Sequence, residues 1–312
     1  MASDRESELN RESLNFYLRD TSRGFETLMH RLPLGSADVS MRVPSGEMIK
    51  LRLEMTENKI QFDFKGTENS SRVAITERTT LSACMWTVLS MIDEKIAINS
   101  GLFEHFQVSA PSGTMLDQKG AVGTERGVQM LVPALCNLIV TAFAKLNPAL
   151  KGADCPGGFA RLLIEAGQER AILTAACGSR ATSKEAGEDA CALFGSQQAK
   201  AAENSNLVSW IMRGLNPKSG GDGKFKGGDG ELLHFKITKP STLRWDLSAG
   251  SAKSPGASQG KPGESAQLSI IRNGQPENEI KEREGSIELA SGDEVKLFGA
   301  GGGGFGEPLT TE

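Results

Sequence analysis

Gly299-Ala300-Gly301-Gly302-Gly303-Gly304-Phe305-Gly306 is the string on which the fold turns. It formally contains the G-x-G-x-x-G pattern of a dinucleotide-binding loop. That loop works only when a helix follows it, so that the helix N-terminus meets the pyrophosphate. Eight residues follow Gly304, and Pro308 is one of them, so no helix fits. The string therefore reads as extended backbone packed so closely that only glycine is admitted. A second string, Ser219-Gly220-Gly221-Asp222-Gly223-Lys224-Phe225-Lys226-Gly227-Gly228-Asp229-Gly230, invites comparison with a phosphate loop. Such a loop needs Ser or Thr after Gly-Lys, and Phe225 stands there instead. Its two Gly-Gly-Asp-Gly units read as successive tight turns.

Glycine and proline are unevenly spread around these strings. Residues 1–100 hold six of them and residues 216–312 hold twenty-five, so the last third is built differently from the first. Upstream, Leu14, Leu18, Phe25, Leu28 and Met29 recur at helical spacing until Leu32-Pro33-Leu34-Gly35 stops the pattern. Ile49, Leu51, Leu53 and Met55 alternate with charges, then Ile60, Phe62 and Phe64 alternate again, predicting a hairpin with its turn near Asn58. Thr76 or Thr79 caps a helix carrying Leu81, Met85, Val88 and Leu89. A strand-like stretch runs from Phe103 to Val108. Met130–Leu146 is a buried helix, interrupted by Pro133, Asn137 and Lys145 and too short to span a bilayer. Arg161–Glu165 and Arg170–Ala175 form a second hairpin, and residues 178–206 are loop or marginal helix. Short strands follow at Leu232–Ile237, Thr242–Leu247, Gln267–Arg272, Ser286–Leu289 and Glu294–Phe298, with turns at Asn273-Gly274 and Ser291-Gly292-Asp293. The expected fold is α+β: mainly antiparallel sheets, a few helices, and a glycine-rich all-β C-terminal part with extended, polyproline-like segments. The expected organisation is an N-terminal helix over 1–35, a core over 36–215 and the glycine-rich region over 216–312.

Composition excludes several classes. A net charge of −4 and 5% aromatic residues give neither a basic surface nor stacking platforms, so no nucleic-acid partner is expected. Residues 1–10 are charged and show no signal-peptide core, and no membrane partner is expected. Five widely spaced cysteines (Cys84, Cys136, Cys155, Cys177 and Cys191) suggest free thiols and a cytoplasmic location. Cys155, ahead of Pro156-Gly157-Gly158, is the thiol expected to be accessible. His30, His105 and His234 are isolated and lack metal-ligand spacing. His105 and His234 read as hydrogen-bonded strand residues. Asp63 and Glu68 flank Lys65-Gly66-Thr67 as solvated charges at a strand end. The residues assign no catalytic, cofactor or metal role within the chain.

Six strings in order resemble one family. Phe62-Asp63-Phe64-Lys65-Gly66-Thr67 is similar to the V-D-F-x-G-T strand end of the hydantoinase B/oxoprolinase family. Leu81-Ser82-Ala83-Cys84, Ile98-Asn99-Ser100-Gly101-Leu102-Phe103 and Ala110-Pro111-Ser112-Gly113-Thr114 resemble its next blocks. The 219–230 string is similar to S-G-G-x-G-x-x-R-G-G-x-G, with Lys226 where Arg is usual. Ser291-Gly292-Asp293 through Phe305-Gly306-Glu307-Pro308 resembles the terminal block. The motif positions are thus Asp63, Gly66, Thr67, Asn99, Gly101, Pro111, Gly113, Gly220, Gly223, Gly227, Gly228, Gly230, Gly301, Gly302, Gly303, Gly304, Gly306 and Pro308, all expected to be structural. Members are usually longer, and the metal motif of the related ketone carboxylases belongs to a half with no counterpart here. The resemblance implies an accessory subunit of a multi-subunit, ATP-dependent ketone carboxylase. Its partners would be ASKHA-type ATPase subunits and a full-length hydantoinase-B-like subunit, and ATP and a divalent metal would sit on them. The alternatives are an amidohydrolase subunit of the hydantoinase or N-carbamoyl type, and a non-catalytic module of a larger complex.

Overall fold

The N-terminal periodicity becomes helix α1 (Ala2–Met29). Its last turns are buried through Phe25, Leu28 and Met29, whereas Leu14 and Phe16 further up are 55% and 73% exposed. Of the apolar stripe expected from Leu14 to Met29, the C-terminal part is thus the buried part. The computed structural model describes residues 2–70, 72–92, 96–118, 125–191, 205–272, 274–276, 280 and 282–308. The Asn273 half of one expected turn, and residues 192–204 of the stretch 178–206, lie outside these.

Strands β1 (Gly35–Arg42), β2 (Met48–Met55), β3 (Ile60–Asp63) and β4 (Phe106–Ser109) form a sheet in that order. Alternation along β2 buries Ile49, Leu51, Leu53 and Met55 and leaves Lys50, Arg52 and Glu54 outside. The expected hairpin is β2–β3, with Leu53 opposite Phe62. β1, which no periodicity announces, pairs with β2 over its full length. β4 runs parallel to β3, and helix α2 (Glu77–Ser90) lies in the crossover such a pair requires. Thr76 is the cap: its hydroxyl accepts from the Thr79 amide at 3.2 Å. The 3-10 helix Ser100–His105 precedes β4, so His105 ends a helical turn rather than sitting inside a strand.

Helix α3 (Glu125–Leu146) starts earlier than its apolar run and contains Pro133. By length and composition it is apolar enough to cross a membrane, but 67% of its apolar window is buried in the protein. Beyond it come β5 (Ala160–Ala166), β6 (Glu169–Ala175), β7 (Val208–Leu215), β8 (Glu231–Ile237), β9 (Ser241–Asp246), β10 (Gln267–Arg272), β11 (Gln275–Pro276), β12 (Glu284–Leu289) and β13 (Glu294–Phe298). They make two antiparallel sheets, ordered β12-β9-β5-β6 and β11-β10-β13-β8-β7. One core joins the two sheets, with Leu162, Ile164, Leu173 and Leu243 from the first and Phe235, Leu268, Ile270 and Leu297 from the second. Each sheet thereby buries one face against the other.

The chain divides into two units. The first holds residues 1–42, 47–124 and 138–150; the second holds 43–46, 125–137 and 151–312. The compositional boundaries at 35 and 215 mark where residue usage changes, and the contacts divide the chain at other points.

The glycine strings share a third arrangement within the second unit. Gly301, Gly302, Gly303 and Gly304 donate to the carbonyls of Glu264, Gly228, Asp154 and Lys261. Gly221, Gly227 and Gly228 donate to Gly302, Gly221 and Ser179. These are extended chains crossing side by side, each bonded to several others. The 219–230 string is accordingly not a pair of tight turns: none of its glycines has a positive φ, and the turn precedes it at Asn216–Ser219. Side chains would separate the backbones beyond hydrogen-bonding reach, which is why so many residues here have none.

Candidate functional site

In the first unit the motif residues tie loops to the sheet. Asp63 ends β3, and its carboxylate accepts from the Lys65 amide at 2.9 Å. Thr67 is buried; its hydroxyl accepts from the Lys50 amide at 3.1 Å and donates to the Lys50 carbonyl at 3.2 Å. Gly66 makes the intervening turn with φ +85°. Asn99 caps the 3-10 helix by accepting from the Gly101 amide at 2.9 Å, and its amide group donates to the Thr21 hydroxyl of α1 at 2.8 Å. Gly101 lies against the Leu18 carbonyl, where a methyl group would overlap it. The Pro111 carbonyl accepts from the Thr114 hydroxyl at 2.8 Å, and the Gly113 amide donates to the Asp117 carbonyl.

The same seam holds a serine–histidine contact. The Ser22 hydroxyl lies 2.9 Å from His105 Nε2 and also meets the Glu104 carboxylate, while His105 Nδ1 is 3.2 Å from the Asn58 carbonyl. His105 is only 5% exposed and packs on Phe25. Together with Asn99, it clamps the end of α1 to the 3-10 helix. It is a buried, hydrogen-bonded histidine, as the sequence suggests.

Asp63 is also the one motif residue on a cavity of about 670 Å³ over the outer face of β1–β3. Pairing sets Asp38, Arg52 and Asp63 side by side on adjacent strands. Lys50, Lys65 and Lys145 complete the charged lining. Arg52 pairs with Asp38 at 3.3 Å with both side chains largely exposed, a contact worth little in water. Lys145 donates to the Asp38 carbonyl at 2.7 Å. Four cations against two carboxylates make an open, net-positive groove suited to a small anion. Period-two alternation foretold Lys50 and Arg52 on one face; Asp38 and Lys145 were invisible because β1 and the end of α3 come from distant segments.

In the second unit the remaining motif glycines, Gly220, Gly223, Gly227, Gly228, Gly230 and Gly301–Gly304, lie in the bundle of extended chains, with Gly306 and Pro308 following it. Asp229 fixes one string: its carboxylate accepts from the Gly220 amide at 2.7 Å and from Lys226 at 2.8 Å. Burial alone would raise the Asp229 pKa, but the Lys226 and backbone donors outweigh it and hold the carboxyl below its usual range. Lys226 thus makes one bond to its carboxylate, where an arginine would offer two. His234 Nε2 lies 2.9 Å from Glu294, and this contact with that of Lys236 holds the Glu294 carboxyl low.

A cluster beside the bundle has no counterpart in the spacing of the sequence. Asn137 grips Cys155 from both sides, donating to its carbonyl at 2.9 Å and accepting from its amide at 3.0 Å. These bonds fix the Cys155 backbone, and the residue is half-buried. Its neighbour Asp154 is pushed above the ordinary carboxylate range by burial, with Arg180 pulling the other way. Cys177 and Cys191 are close enough to Cys155 for their charges to interact, and burial raises both thiols. No spacing rule links positions 155, 177 and 191; only the fold does. Among the described residues, no group of three or more His, Cys, Asp or Glu side chains is placed to hold a metal ion.

Comparison with known proteins places these features. Residues 5–308 match the family described as Hydantoinase B/oxoprolinase. The chain is 22% identical over 273 residues to 5-oxoprolinase 1 of Arabidopsis thaliana, covering 84% of this chain and 20% of that one. Among solved structures, the ATP-dependent caprolactamase of Pseudomonas jessenii superposes with a TM-score of 0.78 at 17% identity, over 96% of this chain and 56% of its own. A nucleotide-free acetone carboxylase superposes with a TM-score of 0.72 at 13% identity, over 93% and 48%. The chain therefore spans about half of each solved chain and a fifth of the plant relative, and the likeness to the solved structures is one of fold.

Proposed function

The chain belongs to the hydantoinase B/oxoprolinase family, and on that footing we propose that it is an accessory subunit of a multi-subunit, ATP-dependent ketone carboxylase. The observation that carries this reading is the pattern of coverage: nearly all of this chain superposes on about half of an acetone carboxylase chain. The finer form of the proposal is a small subunit of the acetophenone carboxylase type, its epsilon subunit. That enzyme would join acetophenone and bicarbonate, driven by ATP, to give benzoylacetate. ASKHA-type ATPase subunits and a full-length hydantoinase-B-like subunit would carry ATP and the divalent metal. This chain would complete or cover the site, and its cationic groove would draw in an anionic reactant or product such as bicarbonate or the β-keto carboxylate.

A second reading has its own support, because the caprolactamase superposes over more of this chain than the carboxylase does. Under it the chain serves an ATP-dependent amide hydrolase of the hydantoinase or N-carbamoyl type. Reconstitution separates the two. The purified chain, the partner subunits without it and the mixture are assayed for ATP hydrolysis dependent on acetophenone plus bicarbonate, and separately on a cyclic amide. The proposal expects benzoylacetate only from the mixture. Full carboxylation by the partners without this chain would overturn the subunit role, and turnover with the amide but not the ketone would transfer it to the second reading.

A further inference from the structure

Cys177 and Cys191 stand opposite one another in an antiparallel bridge outside the named strands. Antiparallel partners have Cα atoms about 4.5–5.5 Å apart, inside the span of about 4.4–6.8 Å that a disulfide accepts. Both thiols are free and half-buried. The segment between them is woven into the glycine bundle: Ser179 donates to Glu188 and accepts from Gly228, Ala181 donates to Gly303, and Gly187 donates to Lys226.

We propose that Cys177 and Cys191 are a redox-modification site, closing to a reversible disulfide under hydrogen peroxide and stapling residues 178–190 onto the bundle. One thiolate attacks the peroxide O–O bond, giving a sulfenic acid and one water after protonation. The second sulfur then attacks the sulfenic sulfur and expels another water. Two thiols lose two electrons and two protons, and peroxide becomes two waters. Among the described residues, the titratable groups whose charges act on Cys177 are Cys155 and Cys191, and on Cys191 they are Glu188 and Cys155, with Cys177 opposite. Burial and these neighbours favour the protonated thiols, so the attack on peroxide is slow at neutral pH. Because the thiolate is the attacking species, oxidation speeds up about tenfold per pH unit through neutral pH.

The test uses the full chain, reduced, desalted and titrated with hydrogen peroxide. Peptide mapping without reductant is expected to find a Cys177–Cys191 cross-link. Two of the five thiols disappear together, and Tm rises by about 5 °C. Dithiothreitol reverses all three. Cys191→Ser removes the cross-link and the rise in Tm, while Cys155→Ser keeps both. A cross-link through Cys155, sulfinic acid at Cys177 or Cys191 without a cross-link, or a Cys177–Cys191 bond that leaves Tm unchanged would each overturn the proposal.

Discussion

At the scale of single residues, the glycines of the bundle differ sharply from glycines elsewhere. A methyl group on Gly302 would overlap the Ser179 carbonyl oxygen and come within 2.9 Å of the Arg180 amide nitrogen. Neither is a flexible side chain able to swing away, since both belong to backbone bonded into the bundle. Gly214, on exposed β7, meets nothing within 4 Å. Gly302→Ala is therefore expected to destabilise by about 3 kcal/mol or more, the upper range of overpacking. Gly214→Ala stays within about 0.5 kcal/mol of the parent, as substitutions at open surface positions do. Chemical denaturation of the two variants provides the measurement. Equal stabilities would show that the bundle yields to a side chain, and the steric account of the string would fail.

At the scale of elements, what could be read in advance followed from periodicity. The β2 alternation, the α2 cap at Thr76 and the hairpin β5–β6 all rest on contacts between near neighbours in sequence, and each appeared where its pattern predicted. β1 was missed because Gly35–Arg42 carries only Ala37 and Val39 as buried apolar residues, too few to register as alternation. The glycine bundle was half legible: its density of glycine announced close backbone approach, but not which chains meet. The clamp on α1 was illegible, since Thr21, Ser22, Asn99 and His105 come together only when the helix docks. That clamp has a measurable consequence. Asn99→Ala removes both the cap on the 3-10 helix and the bond to Thr21, and costs about 1–2 kcal/mol. Amide exchange over residues 18–29 should speed up in the variant, while the amides of β5 and β9 in the second unit keep their protection. Unchanged exchange in α1 would mean that burial of Phe25, Leu28 and Met29 holds the helix without the polar clamp.

At the scale of the whole molecule, the question is whether this chain binds nucleotide by itself. A phosphate cradle works by presenting free backbone N–H groups, which point at the anion and stabilise its charge. Both glycine strings use those groups internally. In the terminal string, Gly301, Gly302, Gly303 and Gly304 all donate to carbonyls of other segments. In the earlier string, Gly220 donates to the Asp229 carboxylate, Gly230 to the Ser219 hydroxyl, and Gly221, Gly227 and Gly228 to backbone carbonyls. Freeing even a few of them for a phosphate would leave buried carbonyls without donors, each at about 1–3 kcal/mol, before any binding energy was gained. Asp229 would add a fixed negative charge beside the incoming one. ATP with magnesium is accordingly expected to leave the Tm of the isolated chain unchanged within experimental error. A genuine site filled at one hundred times its Kd would stabilise the chain by about 2.7 kcal/mol, a shift of several degrees that thermal denaturation resolves easily. A rise of that size, abolished by Gly302→Ala at a temperature where the variant remains folded, would place nucleotide on the glycine string and overturn its purely structural reading.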